Sequence, residues 1–322
     1  MKSHLFMGIA VLLLLSCSQS KQQVADTKGQ LSLKVSDEQL DILLGDQLQL
    51  TQVAKAAHRP YLHPIMAPDG NGELTQYSPG HHKHQTGLYW GFTRVNGAVA
   101  NPDSLLRFFY SREKTAEQQA LVGRDFFHHP EGEYWRRKDL KVLEESGDQL
   151  RWQTQYEMLD EKGEAMLIET QSWTFSQMGN KNRLDLEWKA EALRDIRIGA
   201  FDYGGMFLRM PWHMGIDGEA INSAGQKNQE AEGQKANWVD VGMSIEGRQD
   251  WGHIAILDHP ENANHPTPWR VDGQLGVGPC RAIEGDWSIA EGDTEVMKFS
   301  LLVYTGEIAT EELHNMTEAR SK

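Results

Sequence analysis

Apolar and polar residues alternate along much of this chain. Leu31, Leu33 and Val35 are separated by Ser32 and Lys34, the two-residue period of a strand with one buried face. Residues 40–44 and 47–50 are apolar-rich runs flanking Gly45-Asp46, a hairpin signal. Residues 91–95 lead into a second turn signal, Asn96-Gly97. The longest alternation runs over 149–159, turns through Asp160-Glu161-Lys162-Gly163 and returns over 165–175, which predicts a long hairpin. Residues 184–190, 251–257 and 296–304 repeat the style. Helical signals are few: a short one at 114–122, and a terminal one at 310–320 with Thr310 as N-cap and Glu311-Glu312 in the first turn. Residues 219–236, rich in Gly, Asn, Gln and Glu, predict an exposed loop. Many strands, little helix and no βαβ alternation predict an all-β fold, a large antiparallel β-sandwich filling residues 30–322 as a single domain.

The first residues carry a different pattern. Lys2 precedes an apolar run, Leu5 to Leu15, that is too short to span a bilayer as a helix. The run ends in Leu14-Leu15-Ser16-Cys17, which resembles the bacterial lipobox and predicts a signal peptide over 1–16 with lipidation at Cys17. Residues 17–29 then form a polar tether. Ser18 after the cysteine favours an outer-membrane destination, periplasmic or surface facing. With Cys17 lipidated, Cys280 has no partner for an internal disulfide and suits a small buried apolar role. The net charge of −14 disfavours nucleic acid and anionic lipid surfaces as partners.

Candidate chemistry gathers in two stretches. His81-His82-Lys83-His84 is followed by an aromatic run, and on a strand His82 and His84 share one face. Imidazoles so placed serve as acid and base near neutral pH, or hold a divalent metal if a third ligand comes from elsewhere. His63 lies upstream. The second stretch, residues 258–266, follows an apolar strand and offers Asp258, His259, Asn262, Asn264 and His265 on a proline-rich loop. Arg209 sits in an apolar, aromatic segment, where a buried guanidinium needs an anionic partner or serves as a fork for a ligand carboxylate. Tyr203 is a phenolic acid or base candidate. Trp90, Trp212, Trp251 and Trp269 lie in or beside these clusters, and aromatic faces next to polar groups suit sugar rings. Phosphate-cradling glycine loops, nucleophile elbows and HExxH are absent from the sequence.

Arg59-Pro60-Tyr61-Leu62-His63-Pro64, Asp69-Gly70 and the run from His81 to Leu88 resemble the opening of a bacterial family labelled "methane oxygenase PmoA-like". Tyr203-Gly204-Gly205 with Arg209, and the run from Gly252 through Asp258-His259-Pro260-Glu261-Asn262 to His265-Pro266 and Trp269, resemble its later motifs, so the resemblance spans residues 55–305. The chain departs at His81, Gln85 and Thr86, where that family carries an acid, a histidine and an arginine. The label is not itself a function: methane oxygenase subunits cross the membrane several times, and no such span follows Cys17. The resemblance implies a β-sandwich of the mutarotase-like supersandwich kind and work on glycans. The resulting expectation is a lipoprotein acting on an oligosaccharide, by elimination or dehydration of a uronic-acid-containing sugar. His82, His84, Tyr203, Arg209 and His259 would be catalytic; His63, Trp90, Asp258, Asn262, His265 and Trp269 would hold the substrate. No cofactor is required in this scheme. The alternatives are a non-catalytic glycan-binding lipoprotein and a metal-dependent hydrolase or oxygenase.

Overall fold

The computed structural model describes residues 29–80, 82–98, 108–111 and 113–320. Cys17, the leader and tether around it, and His81 lie outside the described residues. Strands β1 (Leu31–Val35), β2 (Gln39–Leu44), β3 (Gln47–Val53), β4 (Tyr61–Ile65) and β5 (Leu88–Gly91) open the fold. Helix α1 (Ala116–Val122) is followed by β6 (Trp135–Glu144), β7 (Gln149–Leu159), β8 (Ala165–Met178), β9 (Lys181–Ala192) and β10 (Ile196–Ile198). Then come β11 (Gly205–Leu208), β12 (Gly218–Asn222), β13 (Trp238–Ser244) and β14 (Trp251–Asp258). The last elements are β15 (Trp269–Val271), β16 (Val277–Pro279), β17 (Trp287–Ile289), β18 (Thr294–Thr305) and helix α2 (Thr310–Glu318).

Two large antiparallel sheets face each other. The first runs β1-β2-β3-β4-β5-β11-β16-β15 and the second β12-β13-β14-β18-β9-β8-β7-β6; β10 and β17 form a small ribbon. One hydrophobic cluster takes side chains from both sheets. At its centre Trp90 of β5 stacks on Trp188 of β9, with ring centroids 4.5 Å apart and planes 12° from parallel. Polar groups trapped between the sheets pair across the gap: Trp152 Nε1 donates to Gln52 Oε1 at 3.1 Å, and Asn182 Nδ2 to Gln49 Oε1 at 2.7 Å. Such pairing is what makes their burial tolerable. The expected antiparallel β-sandwich is thus the fold.

The two outer faces differ. On the second sheet, Trp238, Ala255, Leu257, Leu302 and Tyr304 form a separate apolar cluster closed by Leu313 of α2. Strand β14 is therefore buried on both sides, which is why 254–257 is continuously apolar. On the first sheet, β4, β5 and β11 alternate. Leu62, Leu88, Trp90, Met206 and Leu208 turn into the core, and Tyr61, Tyr89 and Phe207 form an aromatic row on the opposite face with Phe127. Cross-strand pairing sets the row in register, Tyr61 opposite Tyr89 and Tyr89 opposite Phe207. This row floors the candidate site.

Several expectations are corrected. Residues 82–85 form a turn, closed by Gln85 N–H donating to the His82 carbonyl at 3.0 Å, and strand β5 begins only at Leu88. Gly87 between them has φ +74°, and a Cβ there would lie 2.4 Å from the Leu62 carbonyl oxygen, so the chain passes too closely for any side chain. Strand β5 ends at Gly91, and the turn at Asn96-Gly97 is reached through an irregular segment in which Arg94 adopts φ +53°. Part of the expected loop 219–236 is strand β12, short but paired along its length with β13. The N-cap of α2 is Ala309, with no side-chain cap, and Thr310 is the first helical residue.

Replacing Trp188 by alanine should cost about 3–5 kcal/mol, the range for deleting a buried tryptophan. Urea unfolding would show it as a lowered midpoint with an unchanged slope; a midpoint like that of the parent would show that the inter-sheet stack is not a main support.

Candidate functional site

Two loops descend onto the aromatic face of the first sheet and enclose a cavity of about 400 Å³. Its lining includes His82, His84, Phe127, His128, Tyr203, Phe207, Arg270 and Asp272, with Tyr110 and Gln85. His82 and His84 come from the turn before β5, their ring centroids 5.8 Å apart. His128 comes from the loop between α1 and β6, and its ring meets that of His84 edge-on at 4.4 Å. Three imidazoles thus share one wall.

His128 is oriented from behind. Asp125 Oδ1 accepts from the backbone N–H groups of Phe127 and His128, both at 3.1 Å, which shapes the turn. Asp125 Oδ2 lies 2.8 Å from His128 Nδ1. A carboxylate only accepts, so Nδ1 carries the proton, and in the neutral ring Nε2 keeps its lone pair. Nε2 lies 3.4 Å from the Tyr203 hydroxyl, which is 2.8 Å from that of Tyr110. The four groups form one line: carboxylate, imidazole, phenol, phenol. Burial works against ionisation of Asp125, but the charge and hydrogen bonds of His128 outweigh it and hold the carboxyl below the usual range. Burial, then the neighbouring Tyr110, pushes the Tyr203 phenol up, so it stays protonated. Burial, followed by the positive potential of His128 and Arg59, pushes His84 down to about 2, so it is neutral throughout the physiological range.

Both loops are tied by Arg59, which is fully buried. Its guanidinium donates to the carbonyls of His84 (2.6 Å), Phe126 (3.2 Å) and Phe127 (2.7 Å) and to Thr86 Oγ1 (3.3 Å). It lies 3.7 Å over the Tyr89 ring. Burial lowers its pKa to about 10, which still leaves it charged at neutral pH. Among the described residues no group of three or more His, Cys, Asp or Glu side chains is placed to hold a metal ion. No described helix is long and apolar enough to cross a membrane.

The family of unknown function DUF6807 matches residues 39–318, nearly the whole described chain. The protein belongs to that family. The resemblance to a PmoA-like family is therefore corrected: the match is to DUF6807, and nothing points to a PmoA-like group. No curated protein matches this DUF6807 chain. Among solved structures it is similar to a galactose mutarotase-like protein from Lactobacillus casei ATCC 334, at 7% identity and TM-score 0.37, covering 85% of this chain and 100% of that one. It is also similar to a GH36 alpha-galactosidase from Geobacillus stearothermophilus, at 9% identity and TM-score 0.40, covering 85% of this chain and 41% of that one. Likenesses this distant carry no argument about activity.

Of the residues singled out in the sequence, His82, His84 and Tyr203 meet in the cavity. They do so through a turn and not through strand periodicity. The DUF6807 chain keeps the downstream cluster out of it. Asp258, fully buried, accepts from His259 N, Asn262 Nδ2, His265 Nδ1 and Thr267 N, all at 2.7–2.9 Å, so its carboxylate organises the loop. Asn262 also brackets β18, donating to the Lys298 carbonyl and accepting from its N–H. His259 does not line the cavity; burial, then Arg320, lowers its pKa. The expectation that His259 acts in one catalytic set with His82 and His84 is thus corrected. Arg209 is likewise elsewhere: fully buried, it donates to Gln76, Gln274 and the Trp212 carbonyl at 3.2–3.4 Å, with no face toward the cavity. His63 lies outside too, between Thr75 Oγ1 (3.0 Å) and Glu73 (3.4 Å). Trp90 and Trp269 are core residues with no exposed face for a sugar, Trp269 Nε1 donating to the Ala236 carbonyl. Cys280 is buried, and its thiol is pushed up to about 12.

Sequence reasoning missed Asp125, His128, Tyr110, Arg270 and Asp272. One signal was available: in Asp125-Phe126-Phe127-His128-His129-Pro130 an acid precedes a histidine by three residues in a proline-terminated loop, the spacing of a turn that folds the carboxylate back onto the ring.

Two depressed imidazoles make this region acid-sensitive. Burial pushes His63 down to about 4 and His84 further. The unfolded chain protonates both near pH 6.5, so between that pH and the folded values it binds more protons and stability falls as pH falls. His84→Asn should flatten the decline in urea midpoint between pH 7 and 4.5. An unchanged slope would show that His84 is solvated.

Proposed function

We propose that this cavity is the active site of a carbohydrate-active protein and that its chemistry is proton transfer on a sugar. The observation that carries the reading is the Asp125–His128–Tyr203 line at the wall of an aromatic cavity. His128 Nε2 is the base, oriented by Asp125 at its other nitrogen. The Tyr203 phenol, held protonated, is the acid or hydrogen-bond donor toward a departing oxygen. Neutral His84 and Asp272 accept hydrogen bonds from ligand hydroxyls, and the faces of Phe127 and Phe207 pack against sugar C–H groups. In an elimination or dehydration His128 Nε2 takes a proton from a sugar carbon made acidic by a neighbouring carbonyl carbon, the C–H pair becomes the new double bond, and the oxygen on the next carbon leaves with the Tyr203 proton, with no cofactor in the step.

Oligosaccharides offered to the parent protein and to His128→Gln, Asp125→Asn and Tyr203→Phe test the reading. Product formation should fall by about 10²–10⁴-fold in His128→Gln, the usual contribution of a positioned base, with ligand binding kept. Equal turnover in all three variants overturns the assignment. Saturable binding without product in the parent makes the cavity a binding site only.

We also propose that the domain is a lipoprotein held at the outer membrane through Cys17. Support comes from the apolar run that ends at Ser16-Cys17 and the serine after it. Cys17→Ala should abolish fatty-acid labelling and move the protein from the membrane fraction to the soluble one. Retention on membranes without the label would reject the anchor.

A further inference from the structure

We propose that Glu232 sets the charge class of the ligand: by occupying Arg270 it makes the cavity a site for neutral sugars and closes it to sugar carboxylates. This rests on the reading of the cavity as a sugar site and narrows it.

Apart from the imidazoles, Arg270 is the one cationic side chain among the described residues lining the cavity. It projects from β15 with its guanidinium 5.6 Å over the Tyr203 ring, beside the acid of the proposed reaction. A carboxylate on a sugar would seek this group first. It is already taken. Arg270 Nη1 lies 2.5 Å from Glu232 Oε1, and Glu232 Oε2 accepts from the backbone N–H of Val271. The carboxylate is thus held at both oxygens, one by the side chain and one by the strand that carries it.

Glu232 is also fixed by its own backbone. Gly233 N–H donates to the Trp269 carbonyl at 2.8 Å, and Trp269 N–H to the Gln234 carbonyl at 3.1 Å. The segment therefore runs alongside β15 and presents Glu232 to Arg270. A second carboxylate, Asp272, lines the same wall. Burial opposes the charge on Arg270, and Glu232 and Asp272 more than offset it. An incoming carboxylate would meet one cation and two anions, and could reach the guanidinium only by displacing a clamped glutamate. A sugar hydroxyl meets no such penalty, since Asp272 accepts its proton in a hydrogen bond.

Titration calorimetry with the methyl glycosides of glucose and galactose, and with the matching uronates, tests this on the parent chain, Glu232→Gln and Glu232→Gln/Arg270→Gln. The parent should bind the neutral glycoside at least about tenfold more tightly than the uronate, a difference of roughly 1.4 kcal/mol. Glu232→Gln keeps an acceptor for Val271 and should gain about tenfold for the uronate, a gain absent from the double variant. A parent that binds uronates as well as neutral glycosides overturns the proposal. So does a folded Glu232→Gln protein, checked by its melting curve, with an unchanged ratio. If the parent binds neither sugar, the sugar-site reading fails. The charge assignment is then read from acetate titrated against the histidine ring signals: shifts in Glu232→Gln and none in the parent uphold it, and none in either sinks it.

Discussion

A single buried guanidinium ties the two loops of the site together. Arg59 has no carboxylate within ion-pair distance among the described residues. It is stabilised instead by three carbonyls, a hydroxyl and an aromatic face, and those carbonyls belong to the two loops that carry His84 and His128. A neutral donor would satisfy one carbonyl. The planar fork satisfies several at once and holds the loops at a fixed separation. The edge-on contact of His84 with His128 depends on that separation, and so does the low basicity of His84. The Arg59 charge adds to burial in keeping the His84 ring neutral. The positive potential is supplied from beneath by a residue that no solvent reaches.

The sandwich was legible wherever strands were long and buried on one face. Over β7 and β9, and over β8 from Gln171 to Ser176, side chains alternate between core and surface, and the period shows in the residues themselves. The short strands β4, β5 and β11 were harder, because both of their faces are covered, one by the core and one by the loops above the aromatic row. Their sequences carry no polar beat. The turn at 82–85 also imitates a strand. Two histidines two residues apart share a side in either geometry, so the pair was found for a reason that did not apply.

The site divided in the same way. His82, His84 and Tyr203 were visible as residue types, whereas the group that makes them chemical, His128 with Asp125, lies in an irregular loop where no period exists. Arg270 was hidden because its meaning depends on Glu232, 38 residues earlier in the chain. Arg209 misled for the converse reason: a charge in an apolar segment signals a partner without saying whether that partner is a ligand or the chain's own carbonyls. Asp258 and its loop misled because the residues that build a tight polar turn are the same types that build an active site.

The unequal outer faces of the two sheets have a consequence for how this scaffold can change over time. Helix α2 seals the outer face of the second sheet over β13, β14 and β18, so almost any substitution along β14 disturbs packing on one side or the other. The row Tyr61, Tyr89 and Phe207 on the first sheet points away from the tryptophan stack, and the loops above it are held by their backbone. Tyr61 and Phe207 can be exchanged there while the chassis stays intact, with Tyr89 kept under the Arg59 guanidinium. One face acts as the fixed frame of a tool and the other as its replaceable bit, so descendants of one ancestor could diverge in what they grip without ever refolding.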